Sequence, residues 1–290
     1  MAVKVYLSTA GRPLDPKDAT ISVFDRGFLY GDSVYETLRT ARGKCVEEQR
    51  HLARLRQSAA GIGLEVPFSD DDIRDAIEQT LRASENPESS VRVVVSRGTS
   101  ALTIDPREST TPLLVVYVSP LKRPPESLYT HGISARVVDV RKISQRSLDP
   151  TLKTGNYLNN IQALRQAQAG DAQDAIMCNY EGAIAEGATS NVFLVADGQL
   201  RTPCLATGVL NGITRTVICE LAAELGYTVV EATIWPDELR AADEVFLTSS
   251  VRGCAPVTEI DGSPVSDGNV GPVTKKLWAR YRQHIGDEPS

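Results

Sequence analysis

With 290 residues, 41% hydrophobic and 23% charged, the chain can build its own core as two ordinary domains or one large one. Its net charge of -6 argues against nucleic acid as the main partner, because a phosphate backbone needs a basic footprint. No apolar run reaches the roughly 20 residues of a bilayer span, and Met1 to Tyr30 lacks the basic stub and apolar stretch of a signal peptide, so no membrane and a cytoplasmic location are expected.

The five cysteines are scattered, odd in number and without C-x-x-C spacing, which suits reduced thiols. The three histidines have no metal-ligand spacing, so no metal site is expected. In chain order, Val3 to Leu7, Thr20 to Phe24 and Val34 to Thr40 read as strands, with Gly27 and Gly31 punctuating the turn between the last two. Glu48 to Ala60 and Asp70 to Ala83 carry helical periodicity. Ser69 is a good N-cap for the second, and the three aspartates after it suit the positive end of the helix dipole. Val91 to Ser96 and Leu113 to Val118 are β-branched runs expected to form buried strands.

Three prolines between Ser119 and Glu126 make this stretch the best linker candidate. It predicts a small N-terminal domain over 1–118, a linker over 119–130 and a larger C-terminal domain over 131–290 that carries Lys153. Beyond it, Ile133 to Val140 reads as a strand and Asn156 to Ala169 as an amphipathic helix. Ala175 to Thr202 is rich in hairpin signals, with turns at Asn179 to Gly182 and Ala196 to Gly198. A helix from Thr214 to Leu225 ends at Gly226, and Val273 to Gln283 forms a terminal helix. The mixture predicts an α+β fold with mixed, largely antiparallel sheets.

No G-x-S-x-G, Walker A or H-E-x-x-H sequence occurs. Gly61-Ile62-Gly63 follows a helix and lacks a third glycine, so it reads as a helix end rather than a dinucleotide loop. Three other segments stand out. Lys153 lies in Leu152-Lys153-Thr154-Gly155-Asn156-Tyr157, before a helix; Glu186 lies in Ala185-Glu186-Gly187-Ala188-Thr189-Ser190-Asn191; Gly212 opens Gly212-Ile213-Thr214-Arg215. Taken singly, each has a plain structural explanation: a solvated lysine, an exposed hairpin carboxylate, an ordinary helix start. A helix start is also a phosphate-binding device, since its first amides point outward.

Together, in this order and spacing, the three segments resemble the fold-type IV (class IV) pyridoxal 5′-phosphate (PLP) enzymes. These include branched-chain and D-amino acid aminotransferases, aminodeoxychorismate lyases and (R)-selective amine transaminases. The resemblance runs from Phe24-Asp25-Arg26-Gly27 through the segment Glu244 to Ile260. It implies a two-domain architecture and a homodimer or higher homo-oligomer acting on small amino and 2-oxo acids. It matches Lys153 with the lysine that bonds the cofactor's aldehyde. Tyr157 matches the partner of the phenolic oxygen, Glu186 the carboxylate at the ring nitrogen, and Arg54 the phosphate-binding arginine. Ile213, Thr214 and Ser250 match further phosphate contacts. These roles are physically apt. A neutral lysine amine can attack an aldehyde and then carry a proton, and a carboxylate at the ring nitrogen keeps the ring able to accept charge. An arginine fork suits a phosphate dianion.

Tyr30, Tyr35, Thr37, Arg39, Arg92 and Ser249 resemble residues that line the substrate pocket. Thr37 replaces the glycine usual in branched-chain enzymes and is similar to the lyase or D-amino acid branches. The text Lys153 to Asn160 resembles the branched-chain enzymes, and Leu102 and Ile104 stand where D-amino acid enzymes carry an arginine and a histidine. Arg92 interrupts a run of valines, where poor access to water is expected. It is either an edge-strand arginine or a pocket arginine for a distal carboxylate. The resemblance favours transamination between a branched-chain or other hydrophobic L-amino acid and 2-oxoglutarate. The alternatives are aminodeoxychorismate lyase, releasing 4-aminobenzoate and pyruvate, and a D-amino acid or (R)-amine transaminase.

Overall fold

The computed structural model describes residues 2–109 and 111–287. The chain divides into two compact units. One comprises the described residues of Met1–Lys122 together with Leu152–Asn156; the other comprises those of Arg123–Thr151 and Tyr157–Ser290. Lys153, expected in the second part of the chain, is thus grouped with the first unit.

The first unit contains β1 (Lys4–Leu7), β2 (Arg12–Leu14), α1 (Arg26–Tyr30), β3 (Ser33–Ala41), β4 (Lys44–Cys45), α2 (Glu48–Gly61), α3 (Asp70–Ser84), β5 (Ser89–Ser96) and β6 (Leu113–Pro120). Its antiparallel sheet has the order β2-β1-β6-β5-β3-β4. Strand alternation sends Val34 and Leu38 of β3, Val91, Val93 and Val95 of β5, and Leu114, Val116 and Val118 of β6 to one face. There they pack with Leu52, Leu55 and Ala59 of α2 and Ile73, Ala76 and Ile77 of α3. Ser69 caps α3 in a reciprocal capping box with Asp72. Thr20 to Phe24, expected as a strand, is irregular: Ile21, Val23 and Phe24 are all exposed, and no ladder pairs them. β-Propensity without a partner strand does not make a strand. β6 continues two residues into the expected linker, because Pro120 closes the ladder at the last position, opposite Ser89, where a missing N–H interrupts nothing.

The second unit contains α4 (Glu126–His131), β7 (Ile133–Val138), α5 (Leu158–Gln168), β8 (Asp174–Cys178), β9 (Ile184–Gly187), β10 (Asn191–Ala196), β11 (Gln199–Pro203), α6 (Ile213–Glu224), β12 (Val229–Ala232), α7 (Pro236–Arg240), β13 (Glu244–Ser249), β14 (Gly253–Ile260), β15 (Ser263–Pro264) and α8 (Pro272–Ile285). The sheet follows β12-β11-β10-β13-β14-β7-β8-β9, with β15 on β14. β7 pairs in parallel with β8 and β14, and β11 with β12; the other pairings are antiparallel. Glu186 of β9 also pairs with Asn191 of β10, which closes the sheet into a ring around an aliphatic core. The fold is α+β with mixed, mainly antiparallel sheets, as expected. Among the described residues no helix is long and apolar enough to cross a membrane.

Candidate active site

Lys153 owes its position to the free edge of β3. Val34 bridges Thr154 in the antiparallel sense. The Tyr35 amide donates to the Lys153 carbonyl (3.0 Å), and the Gly155 amide donates to the Ser33 carbonyl (2.8 Å). The Lys153 amide donates to Ser58 Oγ of α2 (3.0 Å). Gly61, at the end of α2, makes room for this segment: a Cβ there would meet Leu152 Cδ1 at 2.5 Å.

Antiparallel pairing puts Lys153 on the same sheet face as Tyr35, and its Nζ lies 4.5 Å from the Tyr35 ring centroid. Thr37 is opposite Arg92 in the β3–β5 ladder, so Arg92 shares that face. Its guanidinium stacks over the same ring at 3.8 Å. Arg92 is exposed, contrary to the poor access its valine neighbours suggest. The alternation that buries Val91, Val93 and Val95 under the helices turns Arg92 to the face that α2 and α3 do not cover. Arg39 is buried further along β3, with its Nε donating to the Thr40 carbonyl (3.3 Å). Tyr30 ends α1 beneath the Arg26 guanidinium, 5.2 Å from its ring centroid.

Arg54 lies on the helix-covered face. Its Nε and Nη2 donate to the two oxygens of Glu36, each at 2.7 Å, and His51 Nδ1 meets the same carboxylate at 2.7 Å. Burial would push Glu36 up; the hydrogen bonds and charges of Arg54 and His51 outweigh it and hold the carboxyl at about 2. The guanidinium is therefore fixed in orientation by the fold.

In the second unit, Glu186 is buried on β9. Oε1 accepts from Lys142 Nζ, and Oε2 accepts from the Leu210 amide (2.9 Å). Asn191 Nδ2 donates to the Leu210 carbonyl (2.8 Å). Both peptide atoms of Leu210 are thus gripped just ahead of α6. A Cβ on Gly212 would lie 1.9 Å from Asn191 Oδ1, so only glycine allows this approach. α6 begins with Ile213 and Thr214, and no side chain caps its N-terminus. Thr248, opposite Asn191 in the β10–β13 ladder, is buried, and its Oγ1 lacks a hydrogen-bond partner among the described residues. Ser249 ends β13, and its Oγ accepts from the Arg252 amide (3.4 Å); Ser250 begins the turn that follows. Tyr157 precedes α5 as its N-cap residue and is half-buried.

Glu36, His51, Lys142 and Asn191 escaped the sequence reading as structural partners. For Glu36 a signal existed: it alternates in phase with Val34 and Leu38, the core-facing positions of β3. Within the second unit the chemistry suits a phosphorylated pyridine: Glu186 offers a buried carboxylate, and α6 an uncapped helix start next to the glycine cradle. The first unit offers the Lys153 amine. Among the described residues no group of three or more His, Cys, Asp or Glu could hold a metal ion.

Comparison with known proteins agrees with this chemistry. The family model for amino-transferase class IV matches residues 33–260. A Methanocaldococcus jannaschii protein named "Putative branched-chain-amino-acid aminotransferase" is 36% identical over 97% of this chain and 96% of its own length. The D-alanine aminotransferase of Bacillus licheniformis is 32% identical over 96% of each chain. A crystal structure of the T.th. branched-chain amino acid aminotransferase, complexed with N-(5′-phosphopyridoxyl)-L-glutamate, superposes with a TM-score of 0.91. It is 27% identical, and the match covers 100% of this chain and 96% of that one. With the family model spanning most of the chain and both relatives matching nearly end to end, the protein belongs to the class IV aminotransferases, which use pyridoxal phosphate.

Proposed function

We propose that the protein transfers the amino group of a branched-chain or other hydrophobic L-amino acid to 2-oxoglutarate. The observation that carries this reading is the row Lys153–Tyr35–Arg92 on one sheet face, with the amine and the guanidinium against the same ring. An exposed guanidinium in line with the amine suits the distal carboxylate of glutamate or 2-oxoglutarate. Leu102 and Ile104, 73% and 84% exposed, have no donor with which to trap a carboxylate, which weighs against the D-amino acid form. The phosphopyridoxyl-L-glutamate complex of the T.th. enzyme lends support to glutamate as one amino donor.

When bound, pyridoxal phosphate supplies an aldehyde to receive the amino group and a ring that withdraws electrons from the substrate's α carbon. In this reading Lys153 would hold the cofactor at its aldehyde, and its amine would serve as the base and acid that moves the substrate's α proton. Arg54, Ser250 and the amides of Ile213 and Thr214 hold the phosphate. Tyr157 donates to the phenolic oxygen, and Glu186 holds the proton on the ring nitrogen. Tyr30, Tyr35, Thr37, Arg39, Arg92 and Ser249 shape the substrate pocket.

The test mixes the purified pyridoxal form with L- and D-amino acids and with (R)-1-phenylethylamine, following the cofactor's spectrum. Only L-hydrophobic amino acids and L-glutamate are expected to convert it. Arg92→Leu is expected to raise KM for 2-oxoglutarate roughly tenfold to hundredfold, the worth of one charge-assisted hydrogen bond, and to leave a monocarboxylic 2-oxo acid little changed. Conversion by D-amino acids, or an equal effect on both acceptors, would overturn the assignment.

A further inference from the structure

Lys142 is a second lysine in contact with a residue of the proposed site. It lies beyond β7, where its amide donates to the Cys178 carbonyl at the end of β8 (2.8 Å). Its Nζ is paired with Glu186 Oε1, and the two side chains are only 11% and 8% exposed. An ammonium and a carboxylate so far out of water persist because they have each other. Three other groups are close by. Tyr157 acts on the amine electrostatically from the start of α5. The Cys178 thiol faces Arg141, the neighbour of Lys142 in the chain. Burial pulls the Lys142 amine down, but the Glu186 charge and hydrogen bond, with Tyr157 adding to them, more than offset this. They hold it above the ordinary lysine range, so it stays charged at neutral pH.

We propose that Lys142 is a positioning residue for transamination: a fixed ammonium on Glu186 that sets how tightly this carboxylate holds a proton on the cofactor's ring nitrogen. The inference rests on the role proposed above for Glu186. A carboxylate offers about four lone-pair sites. Lys142 occupies one on Oε1 and the Leu210 amide one on Oε2, which leaves room for a ring N–H. The carboxylate assigned to the ring is thus already paired with one ammonium. A ring proton is held less strongly than a bare buried carboxylate would hold it, and Glu186 is not left as an unpaired charge before the cofactor arrives. Tyr157, which is assigned to the phenolic oxygen, also acts electrostatically on this ammonium. A purely structural ion pair would affect stability and leave the cofactor's own titration alone.

The experiment reconstitutes wild type, Lys142→Met, Lys142→Gln, Lys142→Arg and Glu186→Gln with pyridoxal phosphate. Visible absorbance is titrated from about pH 5 to about pH 10, and unfolding by urea is measured alongside. Removing a neighbouring positive charge favours the protonated cofactor. Lys142→Met and Lys142→Gln are therefore expected to move the spectral midpoint up by about one pH unit, while Lys142→Arg keeps the wild-type midpoint. Glu186→Gln is expected to move it down. Should the Met variant fail to fold, the Gln variant, whose amide still donates to Glu186, carries the same expectation. If both neutral variants titrate with wild type while Glu186→Gln shifts, Lys142 is structural and the proposal fails alone. If Glu186→Gln does not shift either, the assigned role of Glu186 fails and takes the proposal with it.

Discussion

Glu36 has no solvent exposure, and its carboxylate is the anchor to which Arg54 and His51 are both fastened. Its carboxyl is held at about 2, against 4.5 when unperturbed. A depressed carboxyl contributes stability above its unfolded value and loses it as pH falls through the folded one, so this contribution disappears between about pH 4.5 and about pH 2. The shift corresponds to roughly 3 kcal/mol at neutral pH. Glu36→Gln is expected to lower the unfolding free energy by about that amount at pH 7 and to flatten the acid dependence. Urea unfolding at pH 7 and at about pH 3 measures both. An equally steep acid loss in the variant would place the acid sensitivity elsewhere. Alternation explains what was legible here and what was not. Arg54 stands out in a helix motif, and Arg92 stands out among valines, but only the phase of each strand says that Glu36 faces the helices and Arg92 faces away from them.

Between Leu210 and α6 the backbone does what no side-chain motif announces. Gly212 has φ −68°, a conformation open to any residue, so glycine is needed for the close approach to Asn191 and not for its freedom. Gly212→Ala is expected to displace the start of α6 and weaken pyridoxal phosphate binding roughly tenfold, as the loss of one phosphate hydrogen bond would. Equilibrium dialysis of the cofactor reads this directly. Unchanged affinity in the folded variant would remove the helix start from the phosphate site. Helix α3 was legible because its cap and its periodicity agree with the packing that the fold supplies, and α2 and α6 were legible from periodicity. Thr20 to Phe24 misled because its composition suits a strand while no neighbouring strand is in place to pair with it. Lys153 stands out by its motif, but its place at the edge of β3 depends on pairing between segments far apart in sequence, which no local pattern encodes.

At the scale of the whole molecule, the acidic charge and ordinary composition give no hint of self-association; the surface of the first unit does. Ile21, Val23, Phe24, Phe28, Leu102 and Ile104 are all exposed. Arg26 draws their two segments together: from beside Phe24 and Phe28, its guanidinium donates to the carbonyls of Thr103 (2.8 Å) and Ile104 (3.2 Å) and to Ser100 Oγ (3.2 Å). Its Nε is taken by Asp32, which also holds Arg97. Large apolar side chains gathered on a polar clamp are unfavourable against water and typical of a surface that another protein covers. A second copy of the chain is the expected occupant, in keeping with the homodimer that the family resemblance implies. Light scattering is expected to give twice the mass of one chain. Phe28→Asp combined with Ile104→Asp is expected to shift the mass toward a single chain, because a buried unpaired carboxylate in each half of an interface costs several kcal/mol. Both substitutions replace exposed side chains, so circular dichroism should show the fold retained. A wild-type enzyme that is fully active at the mass of one chain would refute the assembly. A double variant that remains a dimer would move the interface to another surface.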